Sequence, residues 1–121
     1  MKKFIGAIVS ILFILAPAIG QAQENPYMGT YIGIEDLEGG TAVTAGEYEL
    51  IIHIDAEGGI EIIDVDGISA KGTLDGNSFN VIRRQPLQIF TGTIENGRIE
   101  GVTTHNVYTG NGTLSLELQQ E

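Results

Sequence analysis

The chain has 121 residues, no cysteine or tryptophan, and 16 acidic against 6 basic side chains, for a formal net charge of −10. That acidity excludes nucleic acid as a partner, since scattered carboxylates gain nothing by releasing counterions from a phosphate backbone. The lack of cysteine excludes disulfide cross-links and lipid attachment through a cysteine, so any fold must hold by packing and hydrogen bonding.

Taken in chain order, the first feature is Met1-Lys2-Lys3, an apolar run from Phe4 to Leu15, and then Ala16-Pro17-Ala18-Ile19-Gly20-Gln21-Ala22. A basic start, a short apolar stretch and small residues at Gly20 and Ala22 predict a signal peptide over 1–22, cut before Gln23. The rival is an uncleaved anchor, but the run is at the short end of spanning length. The reading is therefore an exported protein, periplasmic or extracellular, whose Met-Lys-Lys leader points to a bacterial origin. It carries no membrane span once the leader is gone. Removing Lys2 and Lys3 leaves 4 bases against 16 acids over residues 23–121, a net charge of −12.

The remainder predicts a single all-β domain. Short runs rich in Ile, Val, Thr and Tyr alternate with polar residues, and no twelve-residue stretch carries the apolar spacing of a helix. In Glu47–Ile54, Tyr48, Leu50, Ile52 and Ile54 share one face; in Gly112–Leu118, Leu114, Leu116 and Leu118 do the same. Asp66-Gly67, Asp75-Gly76-Asn77, Glu95-Asn96-Gly97 and Gly110-Asn111-Gly112 supply the positive φ of tight hairpins. Strands are predicted near 27–34, 47–54, 60–65, 68–74, 78–84, 87–94, 98–105 and 112–119. The Gly- and Thr-rich stretch Glu35 to Gly46 is the one long connection and the expected mobile segment. Gly72-Thr73-Leu74, Gly92-Thr93-Ile94 and Gly112-Thr113-Leu114 recur every 20 residues, placing equivalent residues on alternate strands of an up-and-down meander. Closure into an eight-stranded barrel would remove both edges, with a small β-sandwich as the alternative. A membrane-spanning barrel would need longer strands and the opposite apolar pattern.

The first strand opens with Gly29-Thr30-Tyr31, a Gly-x-aromatic that resembles the start of lipocalin-type (calycin) barrels. That resemblance implies a ring plugging the closed end, with a role in binding small apolar ligands or in inhibiting secreted enzymes. Tyr31 replaces the family's tryptophan, and no Arg or Lys follows in the last strand to pack on it.

Chemistry-bearing residues are sparse. His53 and His105 lie on different strands without a third ligand at metal spacing, and read as surface histidines. Asp55-Ala56-Glu57-Gly58 and Asp64-Val65-Asp66-Gly67 echo calcium loops but lack the full frame, and read as turns. Ser69, Ser78 and Ser115 sit in no nucleophile elbow. Neither a cofactor nor a catalytic residue is predicted, and the protein reads as a non-enzyme. Arg83-Arg84 is the one basic cluster, and alternation sends its two side chains to opposite faces. An inward arginine needs a carboxylate partner or an anionic ligand. Arg83, Arg84 and Tyr31 are thus the candidate ligand residues, for an unknown small apolar or amphipathic molecule. Glu35, Asp36 and Glu38 are the candidate surface for a basic exported protein. A bulky expected interior (Tyr48, Leu50, Ile52, Ile54, Ile68, Leu74, Phe79, Val81, Leu114, Leu116, with only Ala70 and Gly72 small) favours a filled barrel. The predicted function is a binding or interaction module of unknown partner; the alternatives are a small-molecule carrier or an inhibitor of a secreted enzyme.

Overall fold

The computed structural model describes residues 24–38, 45–84, 87–105 and 111–120; the predicted signal peptide lies outside them. Period-2 alternation gives eight antiparallel strands: β1 (Gly29–Leu37), β2 (Gly46–Ile54), β3 (Gly59–Ile63), β4 (Ser69–Thr73), β5 (Ser78–Arg84), β6 (Leu87–Glu95), β7 (Arg98–His105) and β8 (Asn111–Leu118). No helix occurs among the described residues. They form one sheet in the order β4-β3-β2-β1-β8-β7-β6-β5, so the first and last strands are neighbours, with Tyr31 opposite Leu118 and Glu35 opposite Leu114. The sheet curls into a nearly closed barrel whose two edge strands, β4 and β5, meet at a seam.

The core follows from the alternation. Leu50, Ile52, Ile54, Ile60, Ile62, Phe79, Val81, Phe90, Ile94, Ile99, Leu114 and Leu116 all point inward and are buried. Burying such a side chain contributes about 1.5–3 kcal/mol. The outward positions of the same strands carry Glu49, His53, Asn80, Thr91, Glu100, Ser115 and Glu117. The inward positions are thus mainly apolar, while the outer face mixes these polar residues with exposed Ile32, Ile34, Ile82 and Val102.

One end, the base, holds the tight turns at 55–58, 74–77 and 96–97; the other, the rim, is where β1 ends and the 64–68 turn lies. In the turns, Asp55 Oδ1 accepts from the amides of Glu57 and Gly59, and Asp64 Oδ1 from those of Asp66 and Ile68. Gly58 and Gly67 take positive φ there. The two calcium-like fragments are thus hairpin turns closed by their own aspartates. The three repeated glycines do sit on alternate strands and point inward. Gly72 and Gly92 lie toward the base, however, whereas Gly112 is at the rim, so the 20-residue period preserves facing but not height.

Three expectations are corrected. β1 continues to Leu37, so Glu35 and Asp36 are strand residues and not part of the long connection. The 64–68 turn uses residues assigned to the flanking strands, and Ile68, in step with Ala70 but in the turn before β4 begins, is exposed at the rim instead of buried. Tyr48 keeps its inward side but reaches only half burial at the rim.

Candidate functional site at the rim and seam

Base and rim differ in chemistry. At the base Tyr31 is 1 % exposed, and its hydroxyl donates to the Tyr27 carbonyl at 2.9 Å, with Tyr27 itself packed on the core. Burial, with a lesser contribution from Tyr27, raises the Tyr31 phenol above its ordinary range. Tyr31 plugs the base and is walled off from solvent.

At the rim the inward positions turn polar. The two arginines go to opposite faces, as the sequence predicts, and alternation along β5 makes Arg83 the inward one and Arg84 the outward. The Arg83 guanidinium donates to Asp64 Oδ2 at 2.6 Å and to Gln88 Oε1 at 2.5 Å. The Gln88 amide donates to Glu35 Oε2 and, at 2.7 Å, to Thr103 Oγ1. Glu35, Arg83, Gln88 and Thr103, from β1, β5, β6 and β7, are all buried. Burial raises the Glu35 carboxyl above its usual range, an effect that hydrogen bonds from Thr103 and Gln88 and the Arg83 charge partly offset. Asp64 has two duties: one oxygen closes the β3–β4 turn, and the other reaches Arg83 across the seam.

The expected residues are therefore regrouped. Tyr31 lies at the base and Arg83 at the rim, while Arg84 is on the outside, so the three do not form one ligand site. Glu35 is a correction to the acidic surface: it shares the inward parity of Tyr31 and joins Arg83 in the lumen. Only Asp36 and Glu38 are exposed. Residues 39–44 of the long connection lie outside the described set. His53 is exposed, its Nδ1 2.9 Å from Thr30 Oγ1. Among the described residues no three metal-binding side chains come together. Asp64, Gln88 and Thr103 were missed. The available signal was parity: Gln88 falls in step with Phe90 and Ile94, and Thr103 with Ile99, so both are polar residues at inward positions.

The seam is the second feature. Among the described residues β4 and β5 share only the Asp75–Ser78 bridge next to their turn. Inside, Val81 packs against Gly72; a Cβ there would sit 3.0 Å from Val81 Cγ2. Outside, Lys71 of β4, opposite Glu61 of β3, and Arg84 of β5 flank the seam, with Asp75 at its base end. Of the four bases beyond the leader, Lys71, Arg83 and Arg84 are on the two seam strands. Arg98, the fourth, is at the base and pairs with Glu117 at 2.9 Å and Glu100 at 3.5 Å. Exposed Val65, Ile68, Ile82 and Leu87 surround the rim end of the seam.

Comparison with known proteins gives no match: no family model, no curated protein and no solved structure is significantly similar to the chain.

Proposed function

We propose that this is an exported binding module, not an enzyme, that works by contact with another macromolecule at its rim and outer face. The observation that carries this reading is the continuous packed core. Among the described residues, the buried side chains from Tyr31 at the base through the aliphatic layers form one cluster, with the Glu35–Gln88–Arg83 network above it at the rim. A barrel of eight short strands has room for little more than its own side chains. The meander and the plugging aromatic support a lipocalin-like ancestry, within which this chain is an interaction or inhibitor form more than a carrier.

The test is native mass spectrometry and in-compartment cross-linking of the protein purified after expression of the full chain in its own host. A bare protein mass together with a reproducible cross-linked partner is the expected result. A small molecule that stays bound natively and leaves on denaturation would overturn the reading in favour of a carrier, with Arg83 the first residue to substitute.

A further inference from the structure

The backbones of β4 and β5 are aligned for a ladder they do not form. Asp75 and Ser78 exchange both hydrogen bonds, at 2.8 and 3.0 Å. In an antiparallel pair every second residue then aims its N–H and C=O the same way. That directs Thr73, Lys71 and Ser69 of β4, and Asn80, Ile82 and Arg84 of β5, toward the seam. The intervening positions face away, as the Leu74 amide bonding Gly58 and the Asn77 carbonyl bonding Ile94 confirm. Among the described residues no backbone bond joins these two sets of three. An unpaired strand edge is a template for another strand.

Three observations say what would fit. First, β4 is a weak stave: it runs Ser-Ala-Lys-Gly-Thr and buries only Ala70 among its side chains, so the Asp64–Arg83 pair is its main tie to β5 at the rim and is what an inserted strand must displace. Second, Lys71 and Arg84 point outward on either side of the gap, Lys71 with Glu61 opposite it on β3, and Arg84 favours a carboxylate. Third, Ile82, with Ile68 and Val65 at the rim, offers exposed aliphatic surface. A second copy fits poorly, because two seams would set like cations against each other. The acid-rich strands β1, β2, β6 and β7 are already paired on both sides and have no free edge to offer.

Resting on the interaction-module reading, we infer that the seam binds an extended acidic segment of a partner polypeptide as an added strand on β5. The segment pairs with the backbone of Asn80, Ile82 and Arg84, sets its carboxylates on Lys71 and Arg84, and lays its aliphatic side chains on Ile82 and Ile68. This is β-augmentation, with the main chain giving affinity and the charges giving selectivity.

The probe is a capped ten-residue peptide alternating Glu with Val and Ile, titrated into the isotope-labelled protein while amide shifts are followed. Saturable binding is expected, with the largest shifts at Asn80, Ile82 and Arg84, and at least tenfold weaker binding of the same peptide with Lys in place of Glu. Thr73→Cys with Asn80→Cys staples the strands at opposite positions without touching Lys71, Ile82 or Arg84. Oxidation, verified by mass, should abolish binding, and reduction should restore it. Absence of binding, equal binding of the lysine peptide, or binding indifferent to the staple would overturn the seam proposal. Cross-linking in the native compartment judges the broader reading independently of that result.

Discussion

Gln88 is the hub of the rim network, and replacing it by leucine tests whether that network holds the barrel closed. The side chain is 2 % exposed, donates to Glu35 and Thr103, and accepts from Arg83. Leucine has nearly the same volume, so packing changes little while three hydrogen bonds vanish. Two of these involve charged groups, at about 1.5–3 kcal/mol each, and the third is neutral, at about 1 kcal/mol. Against that, burying the leucine contributes about 1.5–3 kcal/mol. The net expectation for Gln88→Leu is a loss of about 1–5 kcal/mol, centred on about 3, or at least about 4 °C in Tm for a domain of this size. Urea unfolding at pH 7, with the slope checked for constancy, reads it directly. Thr103→Val alone should cost about 1 kcal/mol, and less on the Gln88→Leu background because the hydroxyl has already lost that donor. A loss below about 1 kcal/mol for Gln88→Leu would refute the argument, since rim water would then be satisfying Glu35 and Arg83 unaided.

Two further predictions follow from the same geometry. Because burial raises the Glu35 carboxyl, the folded state holds its proton more tightly than the unfolded chain. The contribution of Glu35 is therefore most favourable below the ordinary carboxylate range and is lost as pH rises through its elevated folded value. The stability difference between the native protein and Glu35→Gln, measured by urea unfolding from pH 4 to 8, should fall as pH rises; a difference that grows would reverse the assignment. Gly101→Ala should cost more than about 2 kcal/mol, because an inward Cβ would overlap the Thr91 carbonyl and lie 2.7 Å from Gly92 Cα, backbone that cannot step aside. Gly76→Ala, with φ +63 but open space around it, should cost only about 1–2 kcal/mol; thermal melts showing equal losses would contradict the close approach of β6 and β7.

The strand pattern was legible because its period is short and its turns carry their own chemistry. Alternation in Glu47–Ile54 and Gly112–Leu118 names the inward residues directly, and Asp-Gly and Asn-Gly pairs mark the joints. Ile68 has the inward parity of Ala70 yet is exposed, because it lies in the rim turn before β4 begins, and parity counting does not show where a strand stops. The rim network was half legible. Arg83 could be placed inward with a carboxylate partner, and Asp75-Gly76-Asn77 marks β4 and β5 as a hairpin, but choosing Asp64 requires knowing how the 64–68 turn sits against the rim end of β5. From the sequence Glu35 reads as surface because the Gly- and Thr-rich stretch after it resembles a loop, although Tyr31, Gly33 and Glu35 keep strict parity. The seam was out of reach: the sequence argues for closure as a way to remove edges, and only the three-dimensional register shows where closure stops.

The position of that gap bears on how the chain folds. The first and last strands are joined by a full ladder, while the break falls inside the β4–β5 hairpin, between sequence neighbours. Seven of the eight strand contacts are hairpins, yet the pairing of β1 with β8 spans nearly the whole domain and raises its contact order. Closing so long a loop carries an entropic cost before any non-local contact rewards it, which slows folding. Both outer ends of that pair, Gly29 and Leu118, lie at the base. Joining Glu24 to Gln120 with a short linker and opening the chain at Gly76 would therefore convert the sheet into a simple meander read in order from β5 to β4. Every ladder would then be local, and the permuted chain should reach the same barrel faster than the natural one.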